Sequence, residues 1–407
     1  PYEHESAQFG YTPDYPNANQ IYFDPENGAW IRGNDGLHQL VDGTWQWVDT
    51  VEGTRFRAGG SKVAFGGQGE ICVLGTSDSG PAYLYSPDGG ITFHVGAGDV
   101  PTTPMQTDIE QFAGHNLPVG PAPFVVARQT GGADPEHFWR RVNDFELYLP
   151  TFTAGQLDLG NPIPVSQQAI GIAAHSGVPS AIASMGDRVH VIWGEATDPS
   201  VDVPGVPAYV ATYDRSEGRW LGEPALVGYG PPANDVHNTP SLVIDSEGYL
   251  HTLTGTHGSP FAYARSLEPN TAHEGFTEPT LIEEGLRSTY VGLVCDPDDT
   301  LHLVFRAWTT DGVYHPHSQY ANLGYKRKLK GSDWEPMRRL AVAPFSEYSI
   351  WYHRLTIDRR GRLFVSFDIW STFWFYRTDH VGSRRKTIMS SDGGDSWQLL
   401  QTADLAH

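Results

Sequence analysis

The sequence predicts an all-β chain: a seven-bladed β-propeller of four-stranded antiparallel blades, occupying residues 1–407 as one domain. Three observations predict it. The composition combines Gly 45 and Pro 30 with only 18% charged residues and 12% aromatics, which means many turns, few long surface helices and many strand-favouring side chains. A strand–turn–strand unit recurs along the chain. Two segments, SPDGGITF at 86–93 and SSDGGDSW at 390–397, share the turn pattern S-x-D-x-G-x-[ST]-[FW].

The recurring unit is clearest in LVIDSEGYLHTL at 242–253, LVCDPDDTLHLV at 293–304 and LTIDRRGRLFVS at 355–366. Each reads apolar strand, polar turn, apolar strand, with the alternation of a β-hairpin. IASMGDRVHVI at 182–192 and VAFGGQGEICVL at 63–74 are weaker copies, and IYFDPENGAW at 21–30 supplies another around Asp24. The positions equivalent to the turn aspartate are Gly66, Ser184, Asp245, Asp296 and Asp358, separated by 118, 61, 51 and 62 residues. The first gap is long enough for two units, which places a further copy near Phe124-Val125-Val126. Seven units of about 58 residues fit four-stranded propeller blades. A β-sandwich is the alternative; ring closure has the advantage of hiding the sheet edges that would otherwise promote aggregation.

Charge and cysteine content narrow the function classes. The net charge of −21 argues against nucleic acid, because phosphate binding needs a basic surface. An acidic ligand would need a local cluster of Arg and His to overcome this overall field. No stretch of 18 apolar residues occurs, so no membrane-spanning helix is expected. The chain opens at Pro1 without a signal peptide and reads as a mature or trimmed form. Cys72 and Cys295 are the only cysteines. They lie in apolar strands and are expected to be buried free thiols, not a disulfide framework.

The segment DVHNTPSLVIDSEGYLHTLTGTH at 235–257 sets His237 and His257 each ten residues from Glu247. Residues equidistant from a hairpin turn face each other across the strands, so the two imidazoles are expected to pair. The same register pairs Tyr290 with Arg306 in the next unit. In the last unit it pairs Tyr352 with Asp368 and Ile350 with Trp370, with Tyr348 just beyond. One mouth of the propeller would then carry His237, His257, Tyr290, Arg306, Tyr352 and Trp370. His190, His251 and His302 share a mid-strand repeat position with Cys72 and Phe364, which marks them as packing residues. His115, His175 and His237 form a separate series with gaps of 60 and 62 residues. These three either tie blade entrances through hydrogen bonds or line the channel mouth as substrate contacts. A zinc site needs three or four converging ligands, and sequence assigns no such set.

A His/Tyr/Arg cluster suits β-elimination at a uronic acid. The C5 proton becomes acidic enough to remove once the neighbouring carboxylate is neutralised, a task for an Arg or a protonated His. A base takes that proton and an acid protonates the departing glycosidic oxygen; Tyr and His can fill both posts. Hydrolysis by two carboxylates would need paired Asp/Glu, for which Glu195 and Asp368 are the candidates.

The segment from Asp235 to Ser266, with HSGVPS and TYDRSEGRW upstream, resembles the BNR-4 group of seven-bladed propellers, most strongly from about 170 to 370. The two S-x-D-x-G turns resemble the Asp-box of sialidase-type propellers. The group includes ulvan lyases and a rhamnose–glucuronate lyase, and a related branch is hydrolytic. In the lyases two His are followed by a Tyr and an Arg; here the spacings are 20 (His237 to His257) and 16 (Tyr290 to Arg306). The resemblance implies Tyr290 as general acid and also as a candidate base. His237 would be base or carboxylate-side partner, supported by His257, with Arg306 neutralising the uronate carboxylate and Tyr348 as a further substrate contact. It also implies an acidic polysaccharide as partner, a secreted or periplasmic monomer, no cofactor required for the chemistry, and a structural Ca2+ or Zn2+. The competing readings are a rhamnosidase-like or sialidase-like hydrolase and a non-catalytic glycan-binding propeller. The R-I-P signature of sialidases is absent.

Overall fold

The computed structural model describes residues 20–32, 36–50, 62–77, 80–96, 105–132, 141–172, 181–311, 315–342, 350–369 and 384–405. Among these the regular secondary structure is almost all strand, apart from a 3-10 turn at Val236–Asn238 and a short helix at Thr402–Leu405. Seven antiparallel sheets of four or five strands follow one another, and the hairpin Thr151–Thr153/Gln156–Asp158 lies within the third unit. Their first hairpins open at Ile21–Phe23, Val63–Phe65, Met105–Ile109, Ile182–Met185, Ser241–Ile244, Ser288–Cys295 and Ile350–Ile357, and the sixth sheet takes the earlier strand His257–Ser259 at its edge. No helix among the described residues is long and apolar enough to cross a membrane.

The turn aspartates explain the repeat. Asp24 Oδ1 accepts the backbone N–H groups of Glu26 and Gly28 at 3.0 and 2.7 Å. Asp245 does the same for Glu247 and Tyr249, Asp296 for Asp298 and Thr300, and Asp358 for Arg360 and Arg362. One carboxylate thus satisfies two turn donors that no ladder partner reaches, the usual role of Asp in tight turns. In the two S-x-D-x-G turns a hydroxyl and a carboxylate cooperate. Ser86 Oγ accepts from Gly90 N and donates to Asp88, and Ser390 does likewise with Gly394 and Asp392.

Apolar side chains join each sheet to the next. Tyr22 and Trp30 pack on Phe65 and Ile71, and Cys72 and Tyr83 on Phe124 and Tyr148. Phe145 packs with Ile182 and Trp193, Val191 with Leu242 and Ile244, and Phe261 and Leu293 with Leu303 and Leu355. The seventh sheet then meets the first. The Phe23 and Phe364 rings lie 4.7 Å apart, and Asn27 Nδ2 donates to Asp358 Oδ2 at 3.0 Å across 331 residues of sequence. Cys72 and Cys295 are free and buried, as expected.

The third unit departs from the predicted pattern. Phe124–Gly132 is its second strand, pairing with Met105–Ile109, and the two are joined by residues 110–123 instead of a tight turn. That insertion is why its repeat is so faint. The connection crosses the turn ends of other sheets. Leu117 N donates to Ser184 O at 3.2 Å, Cys295 N donates to Ala113 O at 2.8 Å, and the Arg359 guanidinium stacks 3.5 Å from the Phe112 ring.

The mid-strand histidines are packing residues, as their repeat position implied. His190 bridges Thr212 and Asn270, His251 bridges Tyr263 and Asp245, and His302 bridges Tyr325 and Asp296.

Candidate active site

Asp235 organises the site. It N-caps a 3-10 turn at Val236–Asn238, and its Oδ1 accepts the backbone N–H of His237 at 2.9 Å. The same oxygen lies 2.5 Å from His237 Nδ1, while Oδ2 lies 2.9 Å from His257 Nδ1. One carboxylate therefore grips both imidazoles by the same edge. Accepting from each Nδ1–H selects the tautomer whose chemistry falls to Nε2. Burial alone would raise the Asp235 carboxyl, but the hydrogen bonds from His237 and His257 outweigh it and hold the group well below the usual carboxylate range.

The loop is braced from behind. Asn238 Nδ2 donates to Gly230 O and Pro232 O at 2.7 and 2.5 Å, and His257 N donates to Pro231 O at 3.0 Å. Gly255 makes this possible: a Cβ there would stand 2.3 Å from the Asn238 carbonyl carbon and from Thr239 O. Gly255→Ala must push the His237 turn away. It is expected to destabilise by roughly 1–3 kcal/mol, an overpacking cost, visible as a lower thermal midpoint. An unchanged midpoint would show that the turn yields without cost.

The two rings are 4.6 Å apart between centroids, and the His237 ring is 5.8 Å from that of Tyr290. The Arg306 guanidinium sits 4.3 Å from the Tyr290 ring centroid and 4.8 Å from that of Trp308, a cation–π stack. Tyr290 has φ +62°, sparsely populated for an aromatic residue and typical of strain stored at functional sites. Beneath the stack His353 Nε2 lies 3.0 Å from Val304 O, and burial holds this imidazole down to about 3, hence neutral.

The four predicted residues thus form a chain, His257–His237–Tyr290–Arg306, but not by the expected pairing. The hairpin register around Glu247 holds within the strands, Ser241 opposite Leu253 and Val243 opposite His251. His237, however, lies on the turn before the first strand. His257 belongs to a short strand, His257–Ser259, that pairs with Ser288 and Thr289 of the sixth sheet. In the sixth sheet the register shifts between Thr289 and Gly292, so Arg306 faces Thr289 and Tyr290 falls in the irregularity. The seventh sheet has a comparable shift between Trp351 and Arg354, and Asp368 faces Trp351 instead of Tyr352, while Ile350 faces Ile369 instead of Trp370. An extra residue re-aims the side chains that follow it, and alternation alone cannot foresee it.

The exposures decide which residues meet solvent. The His257 and His237 side chains are 38% and 20% exposed, whereas Tyr290 and Arg306 are 2% and 1% exposed. His115 is not part of this cluster. Its Nε2 lies 2.8 Å from Asp296 O and 3.2 Å from Asp299 Oδ1, at the turn end of the sixth sheet, about 20 Å along the strand from Tyr290 at roughly 3.3 Å per residue. Its place is set by the 110–123 connection, so the reading of His115 as a mouth residue is corrected. His175, Tyr348 and Trp370 lie outside the described residues, as does the side chain of Tyr352. Glu195 Oε1 accepts from Ser166 Oγ and Trp193 Nε1 at 2.7 and 3.0 Å; the Asp368 side chain lies outside the described residues. Asp235 is the residue that sequence reasoning missed. Its signal was the D-x-H spacing in Asp235-Val236-His237, an acidic N-cap two residues before a histidine.

Comparison with known proteins agrees with this region. Residues 206–398 match the family described as BNR repeat-containing family member. An ulvan lyase, PL25, of Pseudoalteromonas sp. (strain PLSV) is 28% identical over 132 residues, 31% of this chain and 25% of that protein; the match spans a quarter of the relative's length. Among solved structures, a protein of unknown function from Dyadobacter fermentans DSM 18053 aligns at TM-score 0.48 and 13% identity, covering 84% of this chain and 96% of that one. A PL25 ulvan lyase structure aligns at 0.43 and 12%, covering 72% of each chain. The resemblance carried by the histidine segment and its flanks is matched independently: residues 206–398 bear the sequence pattern of the BNR repeat-containing family.

Proposed function

We propose that the protein is a secreted, monomeric polysaccharide lyase that cleaves a glucuronate- or iduronate-containing glycan, next to rhamnose, by β-elimination on a single seven-bladed propeller. The blade reading is supported by seven successive sheets and by the packing of the last on the first. The observation that carries the chemistry is the carboxylate-tethered imidazole pair beside the Tyr290–Arg306 stack.

In this reading the exposed imidazoles receive the uronate. His237, oriented by Asp235, takes the C5 proton at Nε2; the C5–H electrons form the C4=C5 double bond as the C4–O bond breaks. Tyr290 delivers a proton to the departing oxygen. Arg306 supplies positive charge against the carboxylate and against a developing phenolate, and His257 shares the Asp235 carboxylate. The cationic groups are local, which reconciles an acidic substrate with a chain of net charge −21.

Incubation with ulvan and with gum arabic is expected to produce the ultraviolet absorbance of an unsaturated uronate. Reducing ends without that absorbance would replace elimination by hydrolysis. The burial of Tyr290 and Arg306 favours a second reading, a glycan-binding propeller in which only the imidazoles touch sugar. Saturable binding of either polymer without any cleavage would establish it.

A further inference from the structure

We propose, on the lyase reading of the site, that His353 is a positioning residue for Tyr290: reaching from the bulge of the seventh sheet to that of the sixth, its imidazole locks the backbone that aims the phenol at the imidazole pair. In the sixth sheet Thr289 faces Arg306 and Gly292 faces Val304, so Tyr290 and Val291 together stand against Phe305. In the seventh, Trp351 faces Asp368 and Arg354 faces Ser366, so Tyr352 and His353 together stand against Phe367. Tyr290 and Tyr352 each lie six residues before a turn aspartate, Asp296 and Asp358. Two successive sheets therefore carry the same one-residue bulge at the same place. His353 occupies the position that Val291 fills in the sixth sheet.

Val291 packs in an apolar core and is fully buried. His353 is buried as deeply, yet it brings a polar ring to a place where an aliphatic side chain serves the neighbouring sheet. A buried imidazole needs a hydrogen-bond partner. Nε2 donates to Val304 O at 3.0 Å, the carbonyl of the residue that faces the end of the sixth-sheet bulge. The Tyr290 main chain also lies within hydrogen-bonding reach of the ring. The ring thus ties both strands of the irregularity that holds Tyr290 at φ +62°. An aromatic residue keeps such a conformation only where its surroundings impose it. Burial, and then the Arg354 and Arg306 charges, keep the imidazole neutral, so at neutral pH its one N–H stays committed to Val304 O. Its burial also keeps it from substrate, so it acts through the Tyr290 backbone.

Three substitutions in the full chain test this role. His353→Phe fills the space of the ring without an N–H. His353→Val supplies the side chain that the sixth sheet uses. His353→Gln keeps an N–H at the reach of Nε2. His353→Phe is expected to lower kcat for the unsaturated product by roughly 10²-fold, the effect of a misplacement of about 1 Å, with KM nearly unchanged. His353→Gln should recover most of the rate. A merely structural role would lower the thermal midpoint without that split between kcat and KM and without the rescue. Crystal structures should show Tyr290 leaving positive φ in His353→Phe and keeping it in His353→Gln. Full kcat in His353→Phe, or equal loss in His353→Phe and His353→Gln, overturns the proposal. If His353→Phe does not fold, His353→Val is read in its place, and a folded His353→Gln protein without turnover overturns the proposal in either case. If the unsubstituted chain forms no unsaturated product, the lyase reading falls, and the Tyr290 backbone in the variant structures still decides for or against the anchor.

Discussion

Tyr290→Phe is expected to reduce elimination by about 10²–10⁴-fold, the usual worth of a positioned proton donor, while the protein keeps its fold and its affinity for the glycan. The substitution removes one oxygen and leaves the ring. The ring makes the packing: 5.8 Å from the His237 ring, 4.3 Å from the Arg306 guanidinium, with the residue 2% exposed. The positive φ of Tyr290 is a backbone property that Phe shares equally. Loss of rate at constant thermal midpoint and constant binding would therefore report on the hydroxyl. Rate of unsaturated-product formation and equilibrium binding, measured on the same preparation, separate the cases. A Phe variant turning over at the original rate would remove Tyr290 from the mechanism.

Asp235→Asn is expected to lower turnover by at least about 10²-fold, the contribution of a general base, and to alter the response of the protein to acid. A carboxylate accepts from both imidazoles; an amide offers one acceptor oxygen and one donor group. The Asn variant can hold one Nδ1–H as before and must present an N–H to the other ring, which turns that ring or switches its tautomer. The effect should fall on the maximal rate more than on substrate affinity, since neither imidazole is lost. The sign of the acid effect follows from the depressed Asp235 carboxyl. Stabilisation by the ionised form is fully present above the unfolded value of about 3.9 and is lost as pH falls through the lower folded value. Two charge-assisted hydrogen bonds at a largely buried group are worth roughly 1.5–3 kcal/mol. Wild type should lose that stability below about pH 4, and the variant should show a flatter profile there. Parallel acid profiles for the two proteins would contradict it.

Much of this protein was legible from residue patterns because the features concerned are local. The turn aspartates at 24, 245, 296 and 358 each serve N–H groups two and four residues on, so the unit repeats as text. Alternation separated the buried His190, His251 and His302 from the strand-end His237 and His257, and the spacings of 20 and 16 pointed to four side chains that do lie in one chain of contacts.

Other features depended on distances between segments. The irregularity at Tyr290 comes from one extra residue in a ladder, and only the partner strand reveals it. His115 shares an H-N-x-P motif with His237, yet the 110–123 connection carries it to the opposite end of the sixth sheet. Sequence by itself determined the strand–turn–strand repeat and the mid-strand place of the packing histidines, because both follow from alternation and turn spacing within single hairpins. Tertiary structure alone decided that Asp235 holds both imidazoles, that Tyr290 and Arg306 lie beside them, and that His115 meets Asp296 and Asp299. Those facts follow from how separate sheets abut, where one bulge or one inserted connection changes which side chains can touch.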